Sequence, residues 1–188
     1  MDLNSKNYLL SLLSNERILS LNDESSLLLS NEIDKKMSKM VESFLKKHNN
    51  NFPPITIFIN SRGGDHYYAM KIFKSITEYP GQTTGYVLKH AYSGAVTILQ
   101  SCKTRCMYYC SQLKIHKPQI SPKIRIYDLT NEEIKALEEN LKNAWKEICL
   151  ILSQRSQKNP DFFESHDCLK LDAYQALKLK LIDEIIFY

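Results

Sequence analysis

The sequence predicts an α/β domain. Two β-branched runs, at 55–59 (Ile-Thr-Ile-Phe-Ile) and 83–88, flank a helical pattern over 66–78, which makes a strand–helix–strand unit. A Thr-x-x-Glu capping box at Thr130 opens a long helical period in the C-terminal half. The 188 residues, 43% hydrophobic and 24% charged, are enough to bury one core, so a single domain over 1–188 is expected.

Taken in order, residues 1–16 are polar around a Leu-rich piece and read as a mobile N-terminal arm. Residues 17–21 (Arg-Ile-Leu-Ser-Leu) read as a short strand, and 22–25 as a turn and helix cap. Leu27, Leu28, Ile33, Met37, Val41 and Leu45 give a helical period over 26–47, which Pro53 and Pro54 bar from continuing. The run at 55–59 is apolar enough for burial on both faces and leads into Asn60-Ser61-Arg62-Gly63-Gly64-Asp65. Met70, Ile72, Phe73 and Ile76 line the helix at 66–78, and Pro80-Gly81 is the turn after it. The strand at 83–88 approaches Ser93, and an apolar helix runs from there to about Cys102. A turn at 103–105 precedes short strands at 106–109 and 111–116. Residues 123–127 read as extended. The long helix runs through Ile134, Leu137, Leu141, Trp145, Ile148 and Leu152, and Pro160 closes the region after it. Residues 161–170 read as irregular, 173–179 as a short helix and 181–186 as a final strand.

Several function classes are excluded by composition. The net charge of +4 comes from lysines scattered among acids, with no basic run interleaved with aromatics, so no nucleic-acid partner is expected. No apolar segment reaches about 18 residues, so no membrane span is expected. The N-terminus lacks the cationic start, apolar centre and cleavage site of a signal peptide. Five cysteines, an odd count, point to free thiols in a reducing, cytoplasmic compartment. Cys102, Cys106 and Cys110 are spaced unlike the common zinc or iron–sulfur patterns, so no metal is expected.

The chemistry concentrates at two strand ends. Ligands of parallel α/β units sit at the carboxyl ends of strands, and both Gly63-Gly64 and Ser93 fall there. Two glycines allow a tight turn with bare backbone N–H groups. Ser93 before Gly94 fits a helix N-cap and fits equally a hydroxyl beside free N–H groups, a geometry that acyl transfer uses. His116, at a strand end, reads either as a structural histidine or as a base, whereas His48, His66 and His90 read as surface or turn residues.

In this order the pieces resemble the Clp protease proteolytic-subunit family, within the wider ClpP/crotonase fold. Arg17-Ile18-Leu19-Ser20-Leu21 is similar to the family's opening strand, and Ile59-Asn60-Ser61-Arg62-Gly63-Gly64 to its I-N-S-P-G-G. Ala91-Tyr92-Ser93-Gly94-Ala95 resembles the turn that carries the nucleophile, and Ile115-His116-Lys117-Pro118 the family's I-H-Q-P. The tail from Leu171-Asp172-Ala173 to Leu181-Ile182-Asp183 is similar to L-S-A-x-E-A…G-L-V-D. The resemblance implies a repeated β-β-α superhelical fold with a long helix in the C-terminal half. It implies a Ser-His-Asp peptidase without cofactor: Ser93 as nucleophile, His116 as base, and Gly64 and Gly94 as oxyanion-hole donors. The family's acid falls at Cys168, and a one-residue slip brings Asp167 to the site, so Asp167 is expected as the acid. Asp172 is expected to be a helix N-cap. Polypeptide substrates, a homo-oligomeric ring and an ATP-driven unfoldase are the implied partners. Arg62 stands where the family has Pro, and no glycine follows His116 over 119–123, where the family has a Gly-rich segment. These departures leave two rivals: a catalytically inactive scaffold subunit of a mixed ring, and a crotonase-like acyl-CoA enzyme, which needs no serine–histidine pair.

Overall fold

The computed structural model describes residues 24–120 and 124–187. Strands β1 (Ser26–Ser30), β2 (Ile55–Ser61), β3 (Thr83–Tyr92), β4 (Thr104–Tyr108) and β7 (Glu184–Ile186) lie side by side in that order, and all are parallel. Parallel neighbours require crossovers. Helices α1 (Lys35–Lys47), α2 (His66–Thr77) and α3 (Gly94–Ser101) supply them between β1 and β4.

The ten-residue β3 carries two partners along its length. Its residues 84–87 pair with β4, while 90–92 pair with β5 (Gln112–His116), also in parallel. Strand β6 (Cys168–Leu171) then adds to β5 antiparallel. The sheet therefore forks at the end of β3, and Ser93 follows at the fork.

Side-chain alternation along β2 divides the interior in two. Ile55, Ile57 and Ile59 join Val41, Ile72, Ile76, Ile98 and Leu99 in the main core beneath the helices. The alternating Phe58 packs instead with Leu88 and Tyr108, flanked by Leu28, Tyr86 and Ile186.

Three expectations are corrected. The helix read over 26–47 begins only at Lys35, because residues 26–30 are β1 in register with 56–60 of β2. Leu27 and Leu29 meet the main core from a strand as well as they would from a helix, and pairing with β2 decides between the two. Asn31, at φ 85°, then turns the chain, and Asp34 caps α1 by accepting from the Met37 N–H. Residues 161–170 are not irregular: α5 (Pro160–Glu164) and β6 occupy most of them. Pro160 starts α5 instead of closing a region, since its missing N–H falls where a helix has no acceptor to offer. Ile126 and Tyr127, the end of the segment read as extended over 123–127, instead belong to a 3₁₀ turn (Ile126–Asp128). The expected strand at 17–21 and the arm at 1–16 lie outside the described residues.

Helix α4 (Asn131–Ser156) opens with the expected box, in which Thr130 Oγ1 accepts from the Glu133 N–H and the Glu133 carboxylate accepts from the Thr130 N–H. Its first 14 residues carry no buried side chain, and burial starts at Trp145. Asp172 caps α6 (Ala173–Lys178) in a box with Gln175. Among the described residues no helix is long and apolar enough to cross a membrane.

Candidate active site

Ser93 sits between β3 and α3 with φ 54° and ψ −126°, a left-handed backbone that costs a non-glycine residue on the order of 1–3 kcal/mol. Its N–H donates to the Lys114 carbonyl at 2.7 Å, and its carbonyl accepts from the Val96 N–H at 2.9 Å. Its side chain makes no capping hydrogen bond. Asp34, Asp65, Thr130, Asn159 and Asp172 all cap their helices through the side chain. The Ser93 hydroxyl is thus not used to start α3, and the backbone twist that holds it there serves no capping purpose.

The Gly63-Gly64 turn is pressed against this serine. A β-carbon added to Gly63 would lie 2.6 Å from the Tyr92 carbonyl oxygen, 2.7 Å from Ser93 Cβ and 3.3 Å from the Gly94 nitrogen. Gly63 has φ +95° as well, so glycine is required there by both space and conformation. Ser61 pins the turn: its Oγ accepts from the Gly63 N–H at 3.1 Å and donates to the Asn31 carbonyl. A one-residue bridge to Ile33 fixes the next position, through Ile33 N–H to Gly63 O and Asp65 N–H to Ile33 O, both 2.9 Å. That bridge leaves the Gly64 N–H out of its hydrogen bonds. The Gly94 N–H, at the first position of α3, has no intrahelical acceptor either. The turn that carries Gly64 is in contact with Ser93 through Gly63, and Gly94 follows Ser93 directly.

His116 ends β5. Tyr92 pairs with Lys114, so His116 stands two residues beyond the level of Tyr92, close past the Ser93 turn. Its Nδ1 lies 2.8 Å from the Lys117 carbonyl oxygen. A carbonyl only accepts, so Nδ1 carries a proton, and in the neutral ring the lone pair then lies on Nε2, the tautomer a general base requires.

Asp167 does not meet the imidazole. Its carboxylate accepts from Lys117 Nζ at 2.7 Å and its side chain is 90% exposed. The Lys117 hydrogen bond and charge hold this carboxyl below its ordinary value. The orienting contact expected between Asp167 and His116 is replaced by the Lys117 carbonyl. Sheet register gives the reason: Cys168, one residue on, is the partner of His116 in the β5–β6 pair, and neighbouring residues of a strand face opposite sides.

His90, read from sequence as a surface or turn residue, is a half-buried part of β3. With Asn60, Arg62, Gly63 and Gly64 it lines an open cleft of about 570 Å³. Burial, with the charges of Lys89 and Arg62 adding to it, pushes His90 below its ordinary value, and its Nδ1 is buried without a hydrogen-bond partner. Its only sequence signal was its place three residues before Ser93. Ser61 was missed as a support for the glycine turn because only the tertiary contact to Asn31 reveals it. Cys102 and Cys106 are buried, and burial pushes both thiols up to about 12, which suits packing and not nucleophilic work.

Residues 11–188 match the sequence profile of the family described as Clp protease. Among solved structures, a point mutant of ClpP1 from Listeria monocytogenes aligns with a TM-score of 0.78 at 19% identity, covering 88% of this chain and 93% of that chain. At that identity the likeness is one of fold: α/β with repeated β-β-α units. No curated protein matches the chain.

Proposed function

Because the chain belongs to the Clp protease family, we propose that it is a serine endopeptidase in which Ser93 attacks the scissile carbonyl of an extended polypeptide. His116 takes the Ser93 proton at Nε2 and returns it to the leaving amine. The Gly64 and Gly94 N–H groups receive the oxyanion of the tetrahedral intermediate, where losing one donor typically costs about 100- to 1000-fold in rate. The Lys117 carbonyl orients the imidazole. Asp167 acts one step back, holding Lys117 through its ammonium group and through the Lys117 N–H to Asp167 O contact at 3.4 Å. The reaction in this reading uses no metal or cofactor. It takes place inside a homo-oligomeric ring in the cytoplasm, fed by an ATP-driven unfoldase.

One observation carries the proposal. A serine with left-handed backbone, its hydroxyl unused by the helix it precedes, is packed against a glycine turn that offers backbone donors. A second reading, an inactive scaffold subunit, is favoured by one feature: among the described residues no carboxylate is hydrogen-bonded to His116. A fluorophosphonate probe separates the two. The peptidase reading expects a stoichiometric adduct on Ser93, located by mass spectrometry, absent in Ser93→Ala and at least 100-fold slower in His116→Ala. Intact, assembled protein that gives no adduct overturns the peptidase in favour of the scaffold.

A further inference from the structure

The antiparallel pairing of β5 and β6 sets Leu113 opposite Leu171, Lys114 opposite Lys170, Ile115 opposite Leu169 and His116 opposite Cys168. Leu113, Ile115 and Leu171 are buried or nearly so, and they mark the inward face. Lys114, His116, Lys170 and Cys168 therefore share the outward face, with directly opposed β-carbons about 4.5–5.5 Å apart. From these contacts we infer that Cys168, and not Asp167, is the positioning residue facing the His116 imidazole, and that it governs how readily the imidazole holds a proton.

The inference rests on the peptidase reading and deepens it. An imidazole that accepts the serine proton becomes a cation, and a neighbouring anion stabilises that cation in the transition state. Here the facing group is a thiol, free and exposed. The carboxylate nearest in sequence, Asp167, is occupied by Lys117. On β5 and β6 the charges beside His116 are cationic: Lys114 and Lys170 form the adjacent pair on the same face, and Lys117 follows His116 directly. From β3, the neighbour of Lys114 is the uncharged Tyr92. From α5, the Glu164 carboxylate acts with Lys117 on the Cys149 thiol. Neither β5 nor β6 carries a negative charge to support an imidazolium at His116. Reaction through Ser93 is therefore slow, and its speed is set at residue 168.

The test compares wild type with Cys168→Asp, Cys168→Asn and Asp167→Asn in the full chain. The readouts are the rate of fluorophosphonate adduct formation at Ser93, kcat/KM on a fluorogenic peptide across pH, and the His116 imidazole signal followed by NMR titration. Residue 168 is exposed at the start of β6, so neither substitution buries a new polar group. Cys168→Asp is expected to speed adduct formation and peptide hydrolysis at least tenfold. It is also expected to move the acid limb of kcat/KM and the His116 titration to higher pH, because an adjacent carboxylate favours the protonated ring. Cys168→Asn, which adds no charge opposite the ring, is expected to leave the acid limb and the His116 titration in place, and Asp167→Asn, which releases Lys117, to slow labelling less than tenfold without moving either. The inference is overturned if Cys168→Asp and Cys168→Asn behave alike in rate and in His116 titration, or if Asp167→Asn alone abolishes labelling. If the His116 titration moves but Ser93 is unlabelled in every form, the facing contact stands and the peptidase reading fails.

Discussion

At the scale of single residues, the site is organised by backbone conformation before any side-chain chemistry begins. Ser93 holds φ 54°, a region open to glycine and unfavourable for serine. Replacing it with Gly relieves that strain, while Ala keeps it. Ser93→Gly is therefore expected to unfold at higher urea than Ser93→Ala, by about 1 kcal/mol in chemical denaturation. Gly63 is constrained from the opposite side. Gly63→Ala places a methyl 2.7 Å from Ser93 Cβ at a φ of +95°. It is expected to lower stability by about 2 kcal/mol and to abolish Ser93 labelling, since the turn must move away from the serine. The Ser93 and glycine positions were legible in sequence, because strand ends and glycine pairs are local signals. The acid was not. Choosing between Asp167 and Cys168 depends on which of two neighbouring residues faces His116, and only the β5–β6 register settles a one-residue slip.

Among the elements, α4 shows how local signals suffice where burial is scarce. No side chain before Trp145 is buried, so its first four turns rest on propensity and on the Thr130–Glu133 box. Thr130→Ala is expected to raise amide exchange in the first turns about fivefold while leaving the global unfolding midpoint nearly unchanged. The same box makes this end acid-sensitive. Hydrogen bonds from the Thr130 N–H and hydroxyl hold the Glu133 carboxyl below its ordinary value. A depressed carboxyl contributes above its unfolded value and loses the contribution as pH falls through its folded one. Exchange at the start of α4 is thus expected to accelerate below the usual carboxylate range, and Glu133→Gln to flatten that dependence. Strand β1 shows the reverse case. Its Leu-Leu-Leu run carries no period that separates strand from helix, and pairing with β2 makes the choice.

Across the whole molecule, one polar cluster ties the C-terminal segment to the sheet. Arg105 is almost fully buried, donates to both Asp183 carboxylate oxygens at 2.9 and 2.6 Å, and reaches Gln100 Oε1 at 2.8 Å. Gln100 in turn donates to the Leu181 carbonyl at 3.1 Å, and Arg155 of α4 donates to the Gln100 and Cys102 carbonyls. Burial raises the Asp183 carboxyl, but the Arg105 hydrogen bonds and charge, with Arg155 behind them, outweigh it and hold the group below its ordinary value. Its contribution is therefore present above the unfolded carboxyl value and lost as pH drops through the folded one. Asp183→Asn leaves Arg105 buried without its counter-charge. The expected loss is about 2 kcal/mol, less than for a fully enclosed pair because the Asp183 side chain is 40% exposed. Thermal unfolding of wild type and Asp183→Asn should converge as the pH is lowered, and a constant gap would show that the pair carries no such linkage.

By itself the sequence determined the α/β class, the strand–helix–strand unit, the capped long helix and the serine, histidine and glycines at strand ends. All of these depend on spacings of a few residues, which propensity and capping chemistry read directly. The tertiary structure alone decided that residues 26–30 are a strand, that the sheet forks at the end of β3, that Ser61 pins the glycine turn and that Cys168 faces His116. Each of those is a pairing between distant segments, where one residue of register reverses the face a side chain occupies.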